Sequence, residues 1–599
     1  MLSPLLYAAY IDGLHKALRE KGLGVFIGGK LVPLLLYADD IVLLAPTPTA
    51  ARSMAKIVAR YAREWRFEVN HGKSNMVVFG SRRVRAAAKK DTWWLGSKTI
   101  EVVDKYKYLG AEVVATGSKW KPTIDACVSK GTSYVNNLLW CGYGAWGYRP
   151  RTFRTLWHTE GRAKMEYACQ LWEGELTEQD LDRMESVQYN FCKRTLGLKG
   201  NPAAVGVRIE LGLAKLQLRR EALKLLYWEH LCNAPRNRLL SVVFRLRVKE
   251  TKQSKAKYSW CQGMRSIMHK WGLLRFWEGE HATSAEDWKA YIWAHYDRMV
   301  EQDDVAELAT KRSMALYQTI RPEQGTVAGC LDNRANRVGA RLQTQLRLGI
   351  APLTARLIGL LGGQPSAALC PVCRQDAPED VQHLLWGCPE FTEERNALQA
   401  RIEHVLAQAG PAGAQARDKL RDRAVVQQVI LGALIPLEVP SGSKREQQKF
   451  KESGAKILWA IDKIVKNFLL VVWKKRSAIA GTFTIEGREL KAIPPEARHQ
   501  RWLQNYRQRK TPAITLNIHD RKLRHFWTPW LRHFKKITIR SYAKKSTKNF
   551  YHVWCGHREG LFYKWSDCLE SIHGFPGPKF KGFMSWDKAV NFDPPDMDE

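Results

Sequence analysis

The segment Leu34-Leu-Leu-Tyr-Ala-Asp-Asp-Ile-Val-Leu-Leu-Ala45 sets two adjacent carboxylates between two short apolar runs. Each run suits a strand and is short for a core helix, and Asp favours turns. The segment is therefore expected to fold as a tight hairpin with Asp39 and Asp40 at its tip. An acidic pair in so apolar a setting is costly if buried, unless it is paired or holds a cation. Two carboxylates at a hairpin tip suit Mg²⁺ held against phosphate oxygens. The same residues would also serve as a plain Asp-Asp turn, so the neighbouring sequence has to decide.

Those neighbours are specific. Ser3-Pro4-Leu5-Leu6 opens a helix, with Ser3 as cap and Pro4 at the first helical position. Strands are expected over 24–27 and 30–36. After the hairpin come Trp65, Val69, Asn70, Lys73 and Ser74, spaced W-x-x-x-VN-x-x-KS, and then Tyr106, Tyr108, Leu109 and Gly110 as Y-x-YLG. Four motifs in this order resemble the non-LTR (LINE-like) retrotransposon reverse transcriptases. The resemblance implies a partial palm over 1–115, with Asp39 and Asp40 as the catalytic, Mg²⁺-binding pair and Asp39 the more critical. It sets Lys73 near the phosphates of the incoming nucleotide, as a general acid or a charge clamp. Read without the family, Lys73 is a solvated lysine after a helix. Tyr108, Leu109 and Gly110 resemble the primer grip, which positions and does not react. The family draws a further aspartate from an earlier palm strand, before the helix that opens with Ser3. Asp12 lies on that helix and is no substitute, so a chain that starts here is expected to be catalytically incomplete by itself.

Charge narrows the partners. The 599 residues carry 95 Lys+Arg against 59 Asp+Glu, a net +36, which suits a polyanion such as nucleic acid. A membrane surface is the other option, and no anchor for it is found. The run Leu31–Ala45 is interrupted by acids and too short to span, and Lys456–Trp473 carries four charges and reads as an amphipathic helix. With no signal-peptide pattern, a nuclear or cytosolic location is expected.

Overall, a multidomain α+β chain is expected. Residues 116–345 read as a helical, thumb-like region. Within it Thr177-x-x-Asp180 is a capping box, followed by Leu181, Met184, Val187 and Phe191 at helical spacing. Within 346–400, Cys370-x-x-Cys373, His383 and Cys388 have the donor types and spacing of a closed, structural Zn²⁺ site. This set also resembles the zinc knuckle downstream of the polymerase in the same family, where it accompanies nucleic-acid binding. Residues 401–547 form a basic, aromatic-rich helical or linker region. From Ser441 to Phe550 there are 27 Lys+Arg against 7 Asp+Glu, interleaved with Trp502, Tyr506, Phe526, Trp527, Trp530 and Phe534. Cations beside aromatic faces suit a strand-tracking surface.

The last segment, 548–595, reads as three strands and two short helices. Its VWCG, Trp565/Cys568 and GF-x-G-x-KFK elements resemble the hybrid-binding domain at the N-terminus of ribonuclease H, also found in caulimovirus transactivators. By that resemblance Tyr551, Trp565 and Phe580 pack on the deoxyribose side of an RNA–DNA hybrid and Lys581 meets a phosphate. Gly582 stands where the family usually has a second basic residue, which weakens the grip. No ribonuclease catalytic constellation accompanies the module. The expected partners are thus an RNA template, a DNA target or primer, and their hybrid. The leading reading is the C-terminal part of an RNA-directed DNA polymerase. The rival is a non-catalytic protein that tethers RNA–DNA hybrids.

Overall fold

The computed structural model describes residues 3–116, 120–142, 148–172, 177–198, 200–253, 259–279, 284–332, 336–360, 369–375 and 377–479, and the strand segments 482–485, 488–491, 550–555, 560–562 and 579–583. The chain divides into two units, Met1–Leu490 and Lys491–Glu599.

The first unit opens with α1 (Ser3–Glu20), then β1 (Val25–Ile27), β2 (Lys30–Val32), β3 (Leu34–Tyr37), β4 (Asp40–Leu43) and α2 (Pro48–Glu64). Thr47 caps α2 by accepting from the Ala50 N–H, and Pro48 sits where the missing donor costs nothing. The strand expected over 30–36 is in fact two strands. Pro33 separates them because it lacks an N–H and fixes its own φ. β1 pairs with β2 and β3 pairs with β4, each antiparallel. Ile11, Leu14 and Leu18 of α1 bury against Met54, Val58 and Tyr61 of α2, with Leu34 and Leu95 completing this core. Next come β5 (Asn75–Val77), α3 (Arg82–Lys90), β6 (Trp93–Leu95) and β7 (Lys98–Val103), in a sheet of order β5-β7-β6. A last hairpin joins β8 (Lys105–Tyr108) to β9 (Ala111–Val114).

From Lys121 onward the unit is helical. The Thr177–Asp180 capping box forms as read, and Met184, Val187 and Phe191 of the helix Glu178–Thr195 are buried. One large core runs from Ile124 to Val472 and takes in the helices around Phe191, the Cys/His segment and the helix Lys444–Ile479. That helix buries Ile457, Ile461, Val465, Leu469 and Val472, the recurrence of an amphipathic stripe. A second core gathers Trp228, Trp271, Trp277 and Trp288 with their neighbours. Among the described residues, two of the buried ion pairs tie distant segments together. Arg347 donates to Glu210 at 3.0 Å, and Arg476 grips both oxygens of Glu379 at 2.5 and 2.7 Å.

Strands Thr482–Ile485 and Arg488–Lys491 form a two-stranded sheet. In the second unit, Phe550–Cys555 is the central strand between Gly560–Phe562 and Lys579–Phe583, antiparallel to both. Trp502, Tyr506, Phe526, Trp527, Trp530, Phe534, Trp565 and Cys568 lie outside the described residues. Among the described residues, no helix is long and apolar enough to cross a membrane.

Candidate functional site

Tyr37 pairs with Asp40 across the β3–β4 hairpin, which leaves Ala38 and Asp39 as a two-residue turn. Ala38 takes a positive φ of 49°, as so tight a turn requires. Asp39 and Asp40 both stand exposed at this tip. Leu34 packs inward and Leu36 and Ile41 are half-buried while Leu35 and Tyr37 face out. The turn therefore projects and its carboxylates are not buried, which corrects the burial cost expected from the sequence. The pair stays in electrical contact with its surroundings. Burial raises the Tyr7 hydroxyl above its ordinary pKa, and the Asp39 charge adds to the rise. Burial does the same to Tyr108, with Asp40 adding. The acidic tip thus lies beside α1 and beside the β8–β9 hairpin.

That second hairpin turns through Leu109 and Gly110, both at positive φ, 47° and 82°. A Cβ on Gly110 would come within 2.7 Å of the Tyr167 hydroxyl, and that hydroxyl donates to the Leu109 carbonyl. The turn is thereby fixed from the helical region. Lys73 ends a short 3₁₀ turn over His71–Lys73, capped where Asn70 Oδ1 accepts from the Lys73 N–H at 3.2 Å. The Tyr106 hydroxyl donates to the Lys73 carbonyl at 3.0 Å, tying this turn to β8. Lys73 is exposed. Trp65 closes α2 and lies edge-on to Tyr10 at 5.1 Å and stacked on Tyr61 at 5.5 Å. The motif residues around Asp39–Asp40 are therefore parts of one packed unit. Two exposed carboxylates fit part of the oxygen shell of a hard divalent cation. Among the described residues, no third acidic, His or Cys side chain is grouped with them.

The second cluster is far from the hairpin in sequence and is closed. Donor atoms of Cys370, Cys373, His383 and Cys388 all lie within 4.8 Å of one another, with Cys370, His383 and Cys388 buried. Cys373 Sγ lies 3.4 Å from His383 Nε2, near the roughly 3.5 Å sulfur–nitrogen edge of a tetrahedral zinc site. Local structure explains the convergence. Arg374, at a positive φ of 54°, turns the chain after Cys373, and its N–H donates to the Cys370 carbonyl. Asp380 Oδ1 accepts from the His383 N–H at 2.7 Å, and the Cys388 N–H reaches back to the His383 carbonyl at 2.8 Å. Burial pushes the Cys388 thiol up to about 12, so a cation is what would draw its proton off. Four soft donors with no open position fit Zn²⁺ in a structural role. Leu384, Leu385 and Phe391 anchor the loop in the large core, and Glu379 ties it to Arg476.

In the terminal sheet Tyr551 pairs with Gly582, His552 with Lys581 and Val553 with Phe580. Tyr551 and Phe580 thus fall at register positions of one parity and Lys581 at the other.

Sequence reading names no catalytic residue in the helical region, yet the structure gathers Arg154, His158, Arg162 and Arg219 around one cavity there. The only signal was the recurrence of basic residues every four positions at 154, 158 and 162, which reads equally as a solvated helix face.

Comparison with known families gives two matches. Residues 1–113 match the family described as reverse transcriptase (RNA-dependent DNA polymerase). Residues 549–592 match the family described as ribonuclease H1 N-terminal domain. No curated protein matches the chain. The first match supports a domain of the reverse-transcriptase kind, the second a domain of the hybrid-binding kind, and together they imply RNA, DNA or hybrid as partners.

Proposed function

We propose that the chain belongs to a non-LTR retrotransposon RNA-directed DNA polymerase, of the kind that copies RNA from a nicked DNA target. The observation that carries the reading is the packing of three separately spaced motifs into one unit. Leu36 and Ile41 of the hairpin share one core with Val69, and Tyr106 holds the Lys73 turn. In this reading Asp39 and Asp40 supply carboxylate oxygens to Mg²⁺, which when bound would stabilise charge on the reacting phosphates. Lys73 meets the phosphates of the incoming nucleotide, and Tyr108–Gly110 holds the primer strand. Cys370, Cys373, His383 and Cys388 hold Zn²⁺ as a strut. Tyr551, Trp565, Phe580 and Lys581 contact the hybrid.

Two carboxylates fall short of a two-ion centre, so these residues alone are proposed not to polymerise. A second reading, a non-catalytic tether for RNA–DNA hybrids, draws on the same shortfall and on the match over 549–592. Primer extension on an RNA template with Mg²⁺ tests the proposal, comparing the chain with Asp39→Ala. No product from either, with hybrid binding retained by both, is the expected result. Product from the parent that Asp39→Ala abolishes would overturn the claimed incompleteness. Loss of hybrid binding by the parent would sink both readings.

A further inference from the structure

The helical region lines a half-open cavity of about 500 Å³ that the polymerase reading leaves unused. Its volume is that of a small-molecule site. Arg154, His158, Arg162, Lys215, Arg219 and Arg321 are among its walls. The first three share one continuous rod: helix Pro150–Leu156, a wide turn Trp157–Gly161 and helix Arg162–Met165. Spaced every four residues, they lie along one face. In the wide turn the Arg162 N–H reaches back five residues to the Trp157 carbonyl. Such turns are found frequently at functional sites.

The cations of this wall are unequally satisfied. Lys215 is held by Asp303 and Glu307 at 2.9 Å each, and Arg321 is held by Glu301. Arg219 donates to Glu166 at 3.1 Å and lies 5.1 Å over the Trp293 ring. The carboxylates of Asp297, Asp304 and Glu323 also line the cavity, and Asp304 is engaged by Arg208 at 3.1 Å. Arg162 meets Glu166 at 3.8 Å, longer than the contacts of Lys215 and Arg219, and the Tyr296 hydroxyl adds to its hold. Arg154 donates to the carbonyls of Gly212 and Gly325, and its Nε is buried with no partner. His158 Nε2 is also buried with no partner. Burial lowers Arg154 and Arg162, and the neighbouring arginines Arg151 and Arg219 add to it. Burial first, and then Arg162, Arg154 and Arg219, hold His158 down to about 3. Arg154, Arg162 and Arg219 crowd like charge around His158, and buried donors without acceptors are costly. An anion with several oxygens would answer both, and guanidinium groups match phosphate geometry.

We infer that this cavity is a phosphoryl-binding site, in which Arg154, Arg162 and the Nε2 edge of neutral His158 hold one phosphate group with Arg219 at its flank. The phosphate has two possible sources, a free pyrophosphate or the 5′-terminal phosphate of a nucleic-acid strand. The site is independent of the acidic hairpin and needs no metal.

Phenylglyoxal labelling of the full chain, read residue by residue by mass spectrometry, tests it. Pyrophosphate at roughly ten times its Kd should slow the labelling of Arg154 and Arg162 about tenfold. Exposed Arg60 and Arg82 should label as before. A 5′-phosphorylated oligonucleotide that protects where its 5′-hydroxyl twin does not would name the strand end as a source. Protection by pyrophosphate alone would name the free anion. Arg162→Gln should abolish the protection of Arg154. Should that variant not fold, the parent's labelling pattern decides. Unchanged labelling in the parent, or equal slowing at Arg60 and Arg82, would overturn the proposal, as would equal protection by the 5′-hydroxyl strand.

Discussion

Gly110 is the residue on which the β8–β9 hairpin turns, for two reasons that compound. Its φ of 82° costs an L side chain roughly 1–2 kcal/mol. A Cβ there would also press on the Tyr167 hydroxyl that pins the Leu109 carbonyl. Gly110→Ala should therefore loosen the hairpin, and hydrogen exchange of the amides of Lys105–Val114 should speed up while α1 and α2 stay protected. Unchanged exchange would show that the turn adapts. His158 makes a second residue-scale prediction, with a definite sign. Its pKa falls from 6.5 unfolded to about 3 folded, so between those values the unfolded state binds the extra proton. Stability is thus whole above pH 6.5 and declines as pH falls toward 3. His158→Gln should flatten the acid limb of a thermal-stability profile relative to the parent. Asp304, raised to about 6 by burial, has the opposite slope but is common to both proteins and cancels in the comparison.

At the scale of elements, the Cys370–Cys388 segment has little regular structure of its own. A short bridge between Leu369 and Pro378 and the turn from His383 to Gly387 shape it, so a metal held by its four donors would be its strut. Thiolates and neutral imidazole bind metal and lose it to protons, so zinc should be released on acidification as well as by chelators. Chelation of a zinc-loaded sample should free about one equivalent. It should also raise hydrogen exchange at Leu384, Leu385 and Phe391 more than in the core around Trp228 and Trp271. Uniform loss of protection, or no bound zinc, would contradict this. The donor set was legible because four ligands of two types, three Cys and one His, stood at metal spacing. Its anchor was not, since Glu379 and Arg476 are 97 residues apart and nothing local pairs them. The hairpin tip was legible from two apolar runs around an acidic turn. Its exposure was not, because the same pattern serves a buried or a projecting turn. Pro33 was visible and still read through, because the apolar run on either side of it looked continuous.

For the molecule as a whole, charge and composition pointed at nucleic acid, and the two family matches at residues 1–113 and 549–592 agree with that. The helical stretch between was legible only as helices. Its large core draws residues from Ile124 to Val472, and contacts of that sequence separation leave no local pattern. The buried pair Arg347–Glu210 and the cationic cavity are products of the same long-range packing. With a net charge of +36, hybrid binding should weaken steeply as salt rises, since each phosphate contact releases counterions. The central claim concerns the two carboxylates, and Mn²⁺ titration followed by electron paramagnetic resonance tests it most directly. The chain is loaded with zinc and bound to an RNA–DNA primer–template, then compared with an Asp39→Asn, Asp40→Asn double variant. The account predicts a Mn²⁺ site in the parent that the double variant lacks. Identical titrations would contradict it, leaving Asp39 and Asp40 as an acidic turn and nothing more.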